Sequence, residues 1–158
     1  MPDQELIKKW RNGKTSLRFV DAELGVELNG VLADCILRKD DKNDVYVPLD
    51  YKTRGFDVKE EEHDQHYQLQ LDCYDLLLRK NGLQTSGTGY LVYYVPDEVR
   101  ENGLVQFNVQ VIQFVTESDR IMNLIRDVVK VLEGKLPKAG QDCEYCAWGE
   151  AGMSLMNP

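Results

Sequence analysis

Apolar positions recur along this chain at two different spacings, and the changes between them divide it into elements. Leu6, Ile7 and Trp10 fall at helical spacing, so residues 3–12 read as a short helix capped by Asp3 and stopped at Asn12-Gly13. From residue 17 to 37 the pattern is that of strand, with Phe19, Val26, Leu28, Leu32 and Ile36 as apolar positions and Gly25 and Gly30 allowing bends or bulges. The polar stretch 39–44 is turn-like. Residues 45–53 then read as a second strand, paired with the first as a hairpin.

The clearest helix covers residues 61–81, where Tyr67, Leu71, Tyr74 and Leu78 follow at steps of four, three and four before Asn81-Gly82. A third strand is expected over 89–96, ended by Pro96, and a fourth over 104–115. In the fourth, Val105, Phe107, Val109 and Val111 alternate with Gln106, Asn108 and Gln110, which implies one exposed side. A last helix begins at Glu117 or Ser118 and runs to about Glu133, with Ile121, Leu124, Ile125, Val128 and Val131 or Leu132 as its stripe. Strands on either side of a long helix predict an α/β or α+β sheet with helices packed on it. Residues 1–137 form the expected domain, and 138–158 a tail without periodicity.

Composition adds one conflict. A length of 158 residues with 42% hydrophobic and 9% aromatic content suits one domain with a real core. The net charge of −8 repels a nucleic-acid backbone, so action on nucleic acid would need divalent cations and a local basic strip. Lys8, Lys9, Arg11, Lys14 and Arg18, then Lys52 and Arg54, are the candidates; for the first group, ordinary solvated charge explains them equally well. No run approaches the roughly 18–20 apolar residues of a membrane span, and the N-terminus lacks a secretory core, so a soluble cytoplasmic protein is expected. Four cysteines make no dense disulfide framework, and Cys35 and Cys73 read as buried thiols.

The chemistry concentrates in Asp34, in "NGVLADCILRK", and in Asp50 and Lys52, in "VYVPLDYKTRG". Side chains at i and i+2 of a strand share a face, so Asp50 and Lys52 point together while Tyr51 points away. With the two strands side by side, Asp34, Asp50 and the backbone carbonyl of Tyr51 could surround a hard cation such as Mg²⁺ or Mn²⁺. Such an ion polarises a phosphodiester and acidifies water, while Lys52 orients that water or neutralises charge growing on phosphate. The plainer reading is a weak ion pair at a strand end. Asp50 follows the apolar residues 45–49, where a lone carboxylate is costly without a partner or metal.

"LDYKTRG", preceded by Gly-x-x-x-Asp and followed by "YQLQLDCYDLLLRKNG", resembles the PD-(D/E)XK nuclease superfamily, most closely its RecB-like and Cas4-like branch. The resemblance implies an α/β fold with a central mixed β-sheet flanked by helices, the restriction-endonuclease-like core. It implies metal-dependent hydrolysis of DNA in recombination, repair or defence, with Asp34 and Asp50 as metal ligands and Lys52 as the catalytic lysine. A Gln-x-x-x-Tyr element falls on Gln70 and Tyr74, one helical turn apart and able to bind substrate or brace the site. The partners implied are DNA and a helicase or other DNA-processing protein, or a second copy in a homo-oligomer. The alternative is a non-catalytic relative that binds nucleic acid or protein. Gly30 to Asp34 is a step of four where the family commonly has three, with Ala33 in the usual place; either a bulge absorbs the offset or the metal site is altered. Glu5, Glu23 and Glu27 are the candidates for a further acid.

Cys143 and Cys146 stand at Cys-x-x-Cys spacing, half of a zinc or iron–sulfur site, and no third cysteine follows them. An intact iron–sulfur cluster is therefore not expected from this chain alone; a vestigial pair, a pair completed by another chain and a redox disulfide stay open. His63 and His66 read as solvated residues at the start of the long helix, with a metal pair or proton shuttle as the sharper option.

Overall fold

The computed structural model describes residues 4–39, 43–55 and 65–156. Its elements run α1 (Gln4–Trp10), β1 (Leu17–Asp21), β2 (Val26–Gly30), β3 (Asp34–Lys39), β4 (Asp44–Thr53), α2 (Gln65–Lys80), β5 (Gln84–Thr85), β6 (Thr88–Val99), β7 (Val105–Val115), α3 (Ser118–Glu133) and α4 (Glu144–Met156). Residues 1–124 and 125–158 form separate units, the division falling inside α3.

The first unit is a mixed α/β structure. A five-stranded sheet has the order β3-β4-β6-β7, with β5 also pairing with β4, and β1 and β2 form a separate hairpin. β3 joins β4 antiparallel, as a short connection permits, whereas β4 and β6 are parallel because α2 carries the chain back between them. The expected strand over 17–37 is thus three strands. The structure turns at Gly25, whose φ of 64° suits glycine, and β3 begins anew at Asp34. β6 also runs past Pro96 to Val99; a register shift between Pro96 and Glu98 takes up the missing amide.

α2 crosses the sheet with Leu71, Leu77 and Leu78 fully buried against Leu91 and Tyr93 of β6, and Ile7 and Trp10 of α1 join the same core. Burial of each such side chain contributes about 1.5–3 kcal/mol. Approach is closest at Gly30, where an added Cβ would lie 2.2 Å from Leu77 Cδ1. α2 stops where the sequence signals: Gly82 takes φ 79°, its amide bonds to the Arg79 carbonyl at 3.0 Å, and Leu83 N reaches Leu78 O at 3.1 Å. That pair of bonds is a Schellman cap.

Two carboxylates of α2 are wholly buried and structural. Asp72 accepts from the Glu117 amide and from Gln68, both at 2.8 Å, and meets Arg120 at 3.3 Å, so it satisfies an open donor at the start of α3. Asp75 pairs with Arg79 at 2.8 Å, and the same Arg79 nitrogen donates to Thr85 of β5 at 2.8 Å. In the second unit, residues 144–156 are helical where no periodicity was expected; a helix without a buried stripe has no apolar period to read.

Cys35 is buried in the core as expected, and burial pushes its thiol from 9.0 up to about 12. A folded state that holds a proton the unfolded chain releases loses stability as pH rises through the unfolded value. Stability should be intact below pH 9 and fall by about 1 kcal/mol by pH 10, with Cys73, half-buried where a buried thiol was expected, acting in the same direction. Urea midpoints across this range should flatten in Cys35→Ala; an unchanged slope would contradict the assignment.

Candidate active site

The pleat of β4 decides which groups meet. Tyr46, Pro48, Asp50 and Lys52 alternate with Val45, Val47, Leu49 and Tyr51, and the first set turns toward α2. There the carboxylate of Asp50, 5% exposed, pairs directly with the Lys52 ammonium. Gln70 of α2 bridges both: its Oε1 accepts from Lys52 Nζ at 3.2 Å, and its Nε2 donates to Asp50 Oδ1 at 3.3 Å. The same Nε2 donates to the Tyr74 hydroxyl at 2.7 Å. Burial raises the Tyr74 phenol above its ordinary 10.0, opposed by the Gln70 bond and reinforced by Asp50, so it stays protonated at neutral pH.

A member of this cluster not expected from the sequence is Tyr67, whose ring lies 4.8 Å from Lys52 Nζ. It reads as ordinary core in the periodicity of α2. Its signal is positional, because residues 67, 70 and 74 share one helix face.

Asp34 is elsewhere. The β3–β4 register sets it opposite Leu49, and the ladder continues to Lys39 without a shift, so no bulge within β3 turns Asp34 to the face of Asp50. Residues directly opposite share a face, which puts Asp34 with Leu49 and Tyr51 and turns it away from Asp50. Its Oδ2 accepts from the Tyr51 hydroxyl at 2.9 Å and meets Arg11 Nη2 at 2.9 Å, while Arg11 Nε donates to the Ala33 carbonyl at 2.6 Å. Asp34, Arg11 and Tyr51 line a cavity of about 640 Å³ with Ile7, Ile36 and Leu49. The expected meeting of Asp34 with Asp50 therefore does not occur; Ala33 lies one step outside the ladder, where the same register, continued, would set it opposite Asp50.

The other expected acids are engaged or exposed. Glu5 pairs with Lys8 at 2.8 Å, Glu27 pairs with Arg18, and Glu23 is exposed with its amide bonded to Asp21 at 3.1 Å. The basic strip is largely paired too, since Lys8, Arg11, Arg18 and Lys52 each face a carboxylate and Arg54 lies 5.2 Å from the Tyr93 ring. Among the described residues no three His, Cys, Asp or Glu side chains are placed to hold a metal. His63 lies outside the described residues, as does the side chain of His66. Cys143 and Cys146 sit at the start of α4, neither in a disulfide, and a hydrogen bond with the Cys146 thiol draws the Cys143 thiol below its ordinary 9.0.

An Asp-x-Lys strand facing a Gln-x-x-x-Tyr helix across a mixed sheet now coincides with a direct comparison: the family model of the PD-(D/E)XK nuclease superfamily matches residues 3–151. The chain belongs to the PD-(D/E)XK nuclease superfamily. No curated protein and no solved structure matches it. Its five-stranded mixed sheet flanked by helices accords with the restriction-endonuclease-like fold of that superfamily.

Superfamily nucleases typically use Mg²⁺ or Mn²⁺, and the donor set here fits such an ion in a reduced form. Asp50 Oδ2 is buried, with the Lys52 ammonium as the cation paired to it. One carboxylate with a backbone carbonyl, waters and a substrate phosphate is within the range of Mg²⁺ sites; a second carboxylate from Asp34 is not on that face. In calorimetric titration with Mn²⁺, Asp34→Ala should leave the affinity unchanged, and Ala33→Asp should raise it roughly tenfold by adding a charged ligand beside Asp50. Weaker binding by Asp34→Ala, or no gain in Ala33→Asp, would contradict this arrangement.

Proposed function

We propose that this domain is a Mg²⁺- or Mn²⁺-dependent deoxyribonuclease of the RecB-like and Cas4-like branch, acting in DNA recombination, repair or defence. The observation that carries the reading is the single Gln70 amide tying Asp50, Lys52 and Tyr74 into one network. Structural ion pairs do not need such an arrangement, and it joins the two sequence elements that the superfamily resemblance singles out.

In this reading Asp50 and the Tyr51 carbonyl hold the metal, which when bound supplies charge neutralisation at the phosphodiester and a more acidic water. Lys52 moves its ammonium from Asp50 toward the phosphate, where it offsets charge growing on the non-bridging oxygens. The Tyr67 ring limits where that ammonium can go, and Gln70 holds Asp50 Oδ1 while Lys52 turns away. Tyr74 fixes the Gln70 amide. With a net charge of −8, binding DNA relies on the cation and on these local groups, which accords with a DNA-processing partner or further copies supplying more surface. A cytoplasmic location suits that role, and no helix among the described residues is long and apolar enough to cross a membrane.

A second reading is supported by one observation, the turn of Asp34 to the opposite face: a non-catalytic module that kept the nuclease scaffold and binds nucleic acid or protein. Cleavage of linear and circular DNA in Mg²⁺, Mn²⁺ and chelator separates the two. The enzyme reading predicts metal-dependent cleavage that falls at least roughly 100-fold in Asp50→Asn and Lys52→Met, both folded by circular dichroism. No cleavage by the folded wild-type protein, with DNA binding that survives chelator, would replace it with the second reading.

A further inference from the structure

The two edges of the five-stranded sheet are built in opposite ways. β3, at one edge, has six residues and carries Asp34, Arg38 and Lys39. β7, at the other, has eleven residues, Val105–Val115, with the sequence VQFNVQVIQFV: no charged residue, no proline and no glycine. A strand of this length spans about 35 Å. Sheet proteins guard long edges with charge, proline, bulges or cover, because an open edge is a template for another strand. In a chain that is 29% charged, an edge of this length without a charge is exceptional.

The edge is open in its backbone as well as its side chains. The Tyr94 carbonyl accepts from Arg54 N at 3.3 Å, so Tyr94 turns its peptide groups toward β4 and not toward β7. Its partner Val109 accordingly directs its own amide and carbonyl outward, and so do the alternate residues 107, 111 and 113. On the face shared by the odd positions, Val105, Phe107, Val109, Val111 and Val115 are 42–66% exposed.

The strand is also self-complementary. Reversed about Gln110, Val109 falls on Val111 and Val105 on Val115, so two copies in antiparallel register place valine against valine on the same face. We infer that β7 is a homodimer edge: two copies of this chain pair through β7 about a two-fold axis at Gln110, continuing the sheet from one copy into the other. A second copy fits better than a basic partner, since this strand offers no carboxylate to a cation. It is also a stretch along which two molecules of net charge −8 meet without opposing like charges. This inference stands apart from the nuclease reading.

The test is sedimentation equilibrium of the intact chain at up to about 100 μM, a range that detects micromolar association, at low and high salt. A dimer that tightens as salt rises is expected, because screening relieves repulsion elsewhere. Val109→Lys with Val111→Lys places like charges opposite each other at exposed positions and should return the chain to monomer with its circular dichroism unchanged. With Cys143 and Cys146 replaced by serine, Gln110→Cys should form an intermolecular disulfide on oxidation, because residue 110 faces its own copy at the short separation of a non-hydrogen-bonded pair. Val105→Cys in the same background should not. A wild-type monomer throughout, as when α3 of the same chain or another partner covers the strand, would overturn the inference. So would a dimer indifferent to the two lysines, or crosslinking at 105 equal to that at 110.

Discussion

The alternation of side chains along β4 is the constraint on which the site depends. A ten-residue central strand has two faces and no freedom to exchange them, since a shift of one residue would send every side chain to the other side. Buried Val45, Val47 and Leu49 pin one face, and Pro48 with its neighbours in the α2-facing core pins the other. Asp50 and Lys52 inherit their position from that apolar frame. They meet Gln70 because α2, packed through Leu71, Leu77 and Leu78, holds its polar side chains over the end of the same strand.

Burying Asp50 this deeply requires compensation, and its surroundings supply it without extra structure. The ammonium of Lys52 sits beside it, Gln70 donates to it, and the Tyr67 ring lies 4.8 Å from the cation. Buried ion pairs seldom add net stability over apolar packing, since desolvation offsets much of the attraction. A pair kept here, bridged through Gln70 to Tyr74 one helical turn away, is better explained by chemistry than by stability. Asp72 and Asp75 contrast with it: equally buried, they tie α2 to the start of α3 and to β5 and take no part in the cluster.

Much of this was legible in the chain. Period-two and helical spacing locate the central strand, the long helix and its glycine cap, and the i, i+2 rule already joins Asp50 to Lys52. What could not be read was the phase of β3. Asp34 and Ala33 are neighbours, so the assignment of face depends on where pairing begins after Gly30, and that is settled by packing of the β1–β2 hairpin and of Leu77 against Gly30. Tyr67 reads as core in the sequence because an aromatic that covers a lysine and one that fills a core have the same spacing. α4 left no trace because it buries no regular stripe, and β6 passes Pro96 because a register shift absorbs a residue that ordinarily ends a strand.

The superfamily scaffold is therefore present with its Asp-x-Lys strand and its Gln-x-x-x-Tyr helix in contact, and with the upstream acid facing the other way. The most direct measurement of that claim is anomalous diffraction from crystals soaked in Mn²⁺. The account predicts density beside the Asp50 carboxylate on the face shared with Gln70. Density held by Asp34 on the face of Tyr51 and Arg11, or bridging Asp34 and Asp50 together, would contradict it.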